Sequence, residues 1–414
     1  MKILHINTAQ KGGASWCAIR INKALVQEGI DSRMLFAEGN TMPEGVKGAI
    51  ATRDKEFWYT NQLLGKVKHL LMRTQWYNDA EKWDAILEEA NNSLSEKQYL
   101  HHPFSYYKGI AHHQLVEWAD IIHLHWVPDF VDYPTFFREV KKPIVWTLHD
   151  KYPAVGVMHY SSKFHPVPDE LKSLDIDCRK IKREGLTKAN SLNLVAISEL
   201  MVEECKNSEV LRGFPVTLIH NGVDTTVFQP HDKQDSRKEL GLLANAKIFL
   251  FSSYCIDDSN KGLDRVIRAL EKVDVPNKML VCIGNIPFNF SPEGSFPIIL
   301  TGELRNQTKI AKYYSAADYF LQSSYEETFA QTPLEAMACG TPVISTPCSG
   351  ATDLIRPING VICNDYDSES IAAGIKEVIN KQYDAEKIRQ YIVENYQYDI
   401  IAKQYISLYE SILK

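Results

Sequence analysis

The sequence predicts an α/β protein with two Rossmann-like domains, and two features of the chain indicate this class. Short apolar strands alternate with helical segments from residue 2 onward, and the same alternation restarts near residue 247 after a polar stretch. At 414 residues the chain is long enough to form two cores. Repeated strand–helix units favour parallel sheets, so we expect two β/α domains facing a deep interdomain cleft.

Composition excludes several classes of protein. The chain is 44% hydrophobic and 24% charged with a net charge of -6, which is typical of a globular protein and shows no general nucleic-acid footprint. Its eight cysteines include no Cys-x-x-Cys pair, so we expect free thiols in a reducing compartment. No apolar run reaches the length of about 18 residues that predicts a membrane span. The apolar start of the chain is too short for a signal peptide, which predicts a cytoplasmic protein.

Glycines and histidines follow predicted strands of the first half. Gly12 and Gly13 come after the first strand and open a helix, where a backbone without side chains can approach a ligand, although a plain tight turn is the alternative. Strand alternation places His123 and His125 on one face, and His149 follows the next strand. Two such histidines can bind a metal, but no third ligand stands at a suggestive spacing, so we predict no metal site. His149 also fits a purely structural role.

Three segments carry no chemical motif. Residues 54–118 are rich in aromatic residues, His and Lys and are expected to be mostly helical. Within them, 63–73 fits a membrane-surface or acceptor-docking helix, or, in the interpretation we favour, a helix packed on its own domain. Residues 151–190 are expected to form an irregular loop that could cover an acceptor. The polar run 231–236 is expected to be an interdomain linker.

The stretch 323–342 is the strongest site candidate. Thr332 is a suitable N-cap, and Glu335 three residues later would complete a capping box. Glu327 lies at the turn before this helix, and a carboxylate can accept hydrogen bonds from vicinal hydroxyls of a ribose or a sugar. Lys261, at the mouth of another helix, offers a point charge for a diphosphate. A pure capping role for Glu335 and an exposed charge at Glu327 are the alternatives. Together these residues indicate a nucleotide-linked substrate.

The same residues resemble retaining glycosyltransferases of family 4, which have the GT-B fold. The signature is Ser324-x-x-Glu327-x-Phe-x4-Leu-Glu335-Ala-Met-Ala-Cys-Gly-Thr-Pro-Val. The supporting motifs are Gly12-Gly13, His220-Asn-Gly-Val-Asp224 with Phe228, Lys261-Gly262, Ala316-Ala317-Asp318 and Thr147-Leu-His-Asp150. The last of these resembles the bacterial surface-polysaccharide branch. The resemblance covers nearly the whole chain except 54–118.

This resemblance implies roles for individual residues. Glu327 would bind hydroxyls of the donor sugar, Glu335 would hold the ribose, and Lys261 would neutralise the diphosphate. His125 would sit beside the donor sugar, and Gly12 and Gly13 would approach the phosphates or the acceptor. The remaining donor contacts would come from Phe329, Ala330, Gln331 and Thr332 at the sugar and diphosphate, and from Gly302, Glu303 and Leu304 at the base.

The implied reaction is transfer of a hexosyl unit, with retention, from a UDP- or GDP-linked sugar to a glycan or lipid-linked acceptor. It would need no metal or other cofactor, and would serve exopolysaccharide, capsule or lipopolysaccharide synthesis. Peripheral contact at the inner face of the cytoplasmic membrane would fit this role. Residues 1–230 would form the acceptor domain and 231–394 the donor domain. Residues 395–414 would form a helix that crosses back to the first domain.

Two departures from the family pattern leave alternatives open. The Arg usually found shortly before the Lys-Gly pair is missing from 252–256, so Arg265 or Arg305 is considered as its replacement. Ala330 stands where a glycine is common. A non-catalytic protein that binds nucleotide sugars or glycans is therefore one alternative, and a glycoside hydrolase with paired carboxylates is another.

Overall fold

A computed structural model of the chain describes residues 1–53 and 79–414. It divides into two compact units. The first comprises Met1–Ile197, Met201–Ile219 and Ala402–Lys414, and the second comprises Ser198–Leu200 and His220–Ile401. The segment 63–73, for which a basic amphipathic helix was considered, lies outside the described residues.

The first unit is built on a parallel sheet of seven strands in the order β3-β2-β1-β4-β5-β6-β7. Its strands are β1 (Lys2–Asn7), β2 (Asp31–Phe36), β3 (Gly48–Ile50), β4 (Ile121–Leu124), β5 (Ile144–Leu148), β6 (Leu192–Ala196) and β7 (Val216–Leu218). Ile122 and Leu124 pack in the main apolar cluster of this unit, on the strand face predicted for them. The opposite face of the same strand carries His123 and His125.

Helices cover this first sheet. They are Gly13–Gln27, Asp79–Ser93, Gln114–Trp118, Tyr133–Glu139, Lys172–Leu186 and Glu199–Asn207, together with the last helix Tyr398–Leu413, whose residues from Ala402 onward belong to this unit. The expectation that 151–190 is an irregular loop was wrong, because a helix of 15 residues occupies its second half. The segment has many charged residues, and these obscured the helical spacing of its buried residues Leu171, Cys178 and Leu186.

The second unit has a parallel sheet of six strands in the order β10-β9-β8-β11-β12-β13. Its strands are β8 (Lys247–Cys255), β9 (Lys278–Asn285), β10 (Ile298–Leu300), β11 (Tyr319–Gln322), β12 (Val343–Ser345) and β13 (Gly360–Ile362). Its helices are Lys233–Leu240, Leu263–Glu271, Gln307–Ala316, Gln331–Ala338, Ala351–Leu354, Ser368–Ile379 and Ala385–Tyr396. Both sheets are wholly parallel with helices between strands, as the sequence predicts.

The predicted linker at 231–236 was also wrong. Asp232 caps a helix there, accepting a hydrogen bond from the backbone N–H of Asp235, and the helix continues to Leu240. Arg237 in this helix is buried and donates to a carboxylate oxygen of Asp318 at 2.8 Å. The polar character of the segment therefore reflects a capped helix tied to the second domain rather than a free connection.

All eight cysteines are free thiols, and seven of them are buried. Across the described parts of the chain, no helix combines the length and apolar character needed to cross a membrane.

Candidate active site

Three loops converge at the carboxyl edge of the second sheet, where doubly wound sheets bind ligands. They follow β8, β11 and β12. Asn260 joins the first two loops, because its side-chain N–H donates to the carbonyl of Glu326 at 2.9 Å and its side-chain oxygen accepts from the N–H of Glu326 at 3.0 Å. Thr346 in the third loop donates to the carbonyl of Ser324 at 2.6 Å. These bonds hold the loop that carries Glu327 in one conformation.

Lys261 and Glu327, predicted as separate contacts to the diphosphate and to the sugar, lie together as an ion pair. The hydroxyl of Ser324 also donates to the Glu327 carboxylate, at 2.9 Å. Burial disfavours the ammonium, but attraction to Glu327 and the hydrogen bond to it outweigh this and raise the pKa of Lys261. An ammonium has three N–H donors, so Lys261 keeps donors for a second anion beside the carboxylate.

The helix Gln331–Ala338 begins without a side-chain cap. Its N-cap residue is Ala330, so the predicted capping box at Thr332 was wrong: the helix starts earlier than the Thr and Pro residues suggest. Both the oxygen and the nitrogen of the Gln331 side-chain amide are buried without a hydrogen-bond partner among the described residues. A bare helix start carries partial positive charge and unpaired N–H groups. It is therefore suited to an anionic group, with the Gln331 amide beside it.

Glu335 lies on the same helix and is held by a different contact. Its side chain is buried, and its carboxylate accepts a hydrogen bond from the hydroxyl of Tyr314 at 3.3 Å. Burial first, and then the charge of Glu335, raise the pKa of Tyr314 well above its usual value, so the phenol stays protonated and remains a donor. The Glu335 carboxylate is thus held by a buried tyrosine rather than by a capping box, and sequence spacing did not indicate this tyrosine.

Neither arginine considered as a replacement for the missing cation is free at this edge. Arg265 is buried, donates to the carbonyl of Ser323 at 2.7 Å, and stacks on the ring of Tyr325 with 3.5 Å between its guanidinium carbon and the ring centroid. Arg305 pairs with Glu303 at 3.2 Å in the exposed segment after β10. Of the three cations considered for the diphosphate, Lys261 is therefore the one that lies among these loops with N–H donors to spare.

Other predicted residues of the second domain surround the same loops. The ring of Phe329 is buried, with its centroid 5.5 Å from that of His220. Gly350 has a φ of 76°, and a Cβ there would come within 2.8 Å of the Phe329 backbone, so the third loop can approach the second only as glycine. Gly302, Glu303 and Leu304 follow the edge strand β10, at the same end of the sheet.

In the first unit, Gly12 and Gly13 open the helix that follows β1. Gly12 has a φ of 98°, in the region that favours glycine, and the helix start has no side-chain cap. A Cβ added at either glycine would meet nothing within 4 Å. Both positions thus present open backbone at a helix N-terminus, which fits a close ligand approach and a plain tight turn equally.

His125, predicted to lie beside the donor sugar, is buried in a cluster of imidazoles. Its Nε2 lies 2.7 Å from Nδ1 of His5, and its Nδ1 lies 2.9 Å from Nε2 of His149. His123 sits next to it, bonded to the hydroxyl of Thr147 at 2.8 Å and to that of Tyr409 at 2.6 Å. Both ring nitrogens of His125 and of His123 are therefore engaged within the first unit.

These histidines are held as neutral rings. Burial lowers the pKa of His5 to about 3 and that of His149 to about 4, and it lowers the pKa values of His123 and His125 well below the usual value. Nitrogens of His5, His123 and His125 lie within 4.8 Å of one another, the arrangement of a three-histidine metal centre. A metal would have to displace existing hydrogen bonds of His123 or His125 to bind there.

The second domain is similar to known glycosyltransferases. Residues 232–396 match the family model described as glycosyl transferases group 1. A D-inositol 3-phosphate glycosyltransferase of Thermobispora bispora is 29% identical over 40% of this chain and 42% of its own length. An uncharacterized glycosyltransferase of Methanocaldococcus jannaschii is 25% identical over 71% of this chain and 76% of its own length. The chain thus spans less than half of the first of these relatives.

A similar solved structure is that of Anabaena Alr3699/HepE in complex with UDP and glucose. It has a TM-score of 0.66 at 18% identity, and the match covers 99% of this chain and 100% of that protein. The same protein is also described in complex with UDP-glucose. At this level of identity the likeness establishes the GT-B fold alone.

Proposed function

We propose that this protein is a retaining, metal-independent hexosyltransferase that uses a nucleoside-diphosphate sugar. The observation that carries the proposal is the pairing of Lys261 with Glu327 at a sheet edge that also bears an uncapped helix start. The amide of Gln331, which has no hydrogen-bond partner in the described part of the chain, lies at the same helix start. A cation, free N–H groups and a sugar-binding carboxylate within one set of loops match the parts of a sugar diphosphate.

In the proposed complex, the diphosphate lies against the start of the helix Gln331–Ala338 and receives the spare N–H donors of Lys261. The carboxylate of Glu327, held by Ser324, accepts hydrogen bonds from hydroxyls of the sugar. Glu335 accepts from the ribose, since a carboxylate carries lone pairs on both of its oxygens. The base lies toward Gly302–Leu304. UDP- and GDP-linked sugars are the proposed donors.

The proposed step needs no protein nucleophile. The bond from the anomeric carbon to the diphosphate oxygen breaks, and the bond to the acceptor hydroxyl forms on the same face of the sugar. The proton of that hydroxyl passes to the departing phosphate oxygen. Lys261 and the helix start stabilise the charge that develops on this oxygen, which is the usual role of preorganised donors.

His125 is proposed to act through its neighbours rather than on the substrate. Both of its ring nitrogens are bonded to other histidines, so it fixes the orientation and tautomer of His149, which lies just past the end of β5.

The proposed acceptors are glycans or lipid-linked saccharides of bacterial surface-polysaccharide synthesis, at the inner face of the cytoplasmic membrane.

A thermal-shift screen with UDP-, GDP-, ADP- and dTDP-linked hexoses tests the proposal. A ligand that binds the native state at 100 times its Kd stabilises it by about 2.7 kcal/mol, so the true donor should raise the melting temperature clearly. Release of labelled hexose from that donor to an acceptor or to water should accompany the shift. A shift without any turnover would favour a non-catalytic binding protein, and no shift with any of the four would overturn the proposal.

A further inference from the structure

A second cluster of polar and aromatic side chains lies in the first unit, apart from the histidines already described. Asp150 organises it: its carboxylate accepts from the indole N–H of Trp126 at 2.9 Å and lies 3.1 Å from Nδ1 of His159. Trp126 follows β4 and Asp150 follows β5, so both stand at the carboxyl edge of the first sheet, where ligands bind in this class of fold.

Three rings of this cluster share one orientation. The ring of His159 is within 2° of parallel to that of Tyr99 at a centroid distance of 5.2 Å, and within 7° of parallel to that of Trp126 at 6.2 Å. His101 stands nearly perpendicular to all three. Tyr99 is 66% exposed, which is unusual for an aromatic residue that the fold has fixed in a stack. We call Tyr99, Trp126 and His159 the ring platform.

The polar groups beside the ring platform are incompletely satisfied. His101 is 2% exposed, and its Nδ1 has no hydrogen-bond partner among the described residues; the nearest carboxylate oxygen, that of Asp129, is 3.6 Å away. The Asp129 side chain is 48% exposed, and its backbone has a φ of 61°. A non-glycine residue in this region costs free energy, and such strain is concentrated at ligand sites.

Charge restricts what can bind there. Asp129 and Asp150 bring two carboxylates to the ring platform. Burial disfavours the charged form of Asp150, but the hydrogen bond from His159, its charge and the hydrogen bond from the Tyr152 backbone together outweigh burial and lower the pKa of Asp150, so the carboxylate is retained. Burial lowers the pKa of His101 despite the opposing effect of Asp129, which keeps this imidazole neutral near pH 7. A site with this balance repels phosphates and uronic acids and accepts hydroxyl groups.

We propose that the ring platform, with Asp129 and His101, is a subsite for a neutral pyranose of the acceptor saccharide. The apolar face of the sugar lies on the exposed ring of Tyr99, and its hydroxyls bond to the exposed carboxylate of Asp129. The assignment as an acceptor site rests on the proposed function, because the donor site is assigned to the second domain. Binding of a saccharide does not depend on transfer and can be tested by itself.

The experiment is a printed array of neutral and uronic-acid oligosaccharides probed with the full chain, followed by titration of each hit through tryptophan fluorescence, which Trp126 reports. Neutral oligosaccharides are expected to bind and uronates to fail. Tyr99→Ala and Asp129→Asn should each weaken binding about tenfold or more, whereas Tyr99→Phe should keep most of it. Asn tolerates the backbone conformation of Asp129, so that variant should fold normally.

Leu243→Ala and Asp274→Asn serve as matched controls, because they remove an exposed apolar side chain and a surface carboxylate in the second unit and should leave binding unchanged. No binding of any neutral saccharide, or preferential binding of uronates, would overturn the subsite. If Tyr99→Ala instead abolished the thermal shift with nucleotide sugars, the ring platform would belong to the donor and the acceptor assignment would be wrong. If saccharides bind but no nucleotide sugar does, the subsite stands and the proposed transferase fails.

Discussion

The carboxyl edges of the two sheets are built from opposite kinds of chemistry. The second presents fixed charge, the Lys261–Glu327 pair, beside a helix start that has no side-chain cap. The first presents neutral imidazoles and aromatic rings, with the carboxylates of Asp129 and Asp150 beside them. In the proposed function, the former recognises a charged ligand with phosphates and the latter a hydroxyl-rich ligand. One fold thus carries two recognition surfaces with little in common except their position.

The largest effect that this contrast predicts is the loss of Lys261. In Lys261→Ala the site loses its cation for the departing diphosphate, and we expect kcat/KM for transfer or for donor hydrolysis to fall roughly 100- to 1,000-fold, the usual cost of removing one preorganised donor. Measurement of turnover at subsaturating donor, with binding of the free nucleoside diphosphate measured by calorimetry, checks this.

Lys312→Ala is the matched control for that variant. The Lys312 side chain is also 25% exposed and pairs with Glu239 at 2.6 Å, but it lies on the helix Gln307–Ala316 rather than among the ligand loops. Its truncation should leave kcat/KM within about twofold, as expected of a surface ion pair. Full turnover in Lys261→Ala would show that the diphosphate is stabilised by another group.

Acid should destabilise the first unit more than the second, because the cluster of buried neutral histidines lies in the first unit. The folded pKa values of His5, about 3, and His149, about 4, are below the unfolded value of 6.5. As pH falls below 6.5 the unfolded chain gains protons that the folded chain cannot accept, so stability is present above this pH and is lost as pH falls toward 4. The loss should be on the order of 3 kcal/mol per histidine by pH 4.

Tryptophan fluorescence isolates this effect. All seven tryptophans lie in the first 146 residues, and the five that the structure describes belong to the first unit. Urea unfolding followed by fluorescence should shift to much lower urea between pH 7 and pH 4.5, while the part of the circular-dichroism signal that comes from the second unit should shift less. Equal shifts by both probes would show that the histidine cluster is not what limits stability in acid.

The carboxyl edges of the two sheets also differ in how many of their site residues the sequence predicts. Both parallel sheets followed from apolar runs of strand length, and Lys261 and Glu327 followed from a motif with fixed spacing, because a loop between a strand and a helix is short and local. The ring platform could not be predicted, since Tyr99, Trp126 and His159 are far apart in the chain and meet only through tertiary packing. The helix Lys172–Leu186 was missed because few of its buried residues are apolar. The capping box was misassigned because the helix Gln331–Ala338 already begins at Gln331.

The smallest predicted effect tests whether the glycines after β1 serve a ligand or only a turn. Gly12 has a φ of 98°, so Gly12→Ala should lower the free energy of unfolding by about 1 kcal/mol through backbone strain alone. Gly13 has ordinary helical geometry and open space around it, so Gly13→Ala should leave stability unchanged or slightly higher. If a substrate approaches this backbone, the added methyl of Gly13→Ala lowers kcat/KM while the urea midpoint stays in place. Unchanged turnover in that variant would mean that the glycine pair forms only a tight turn.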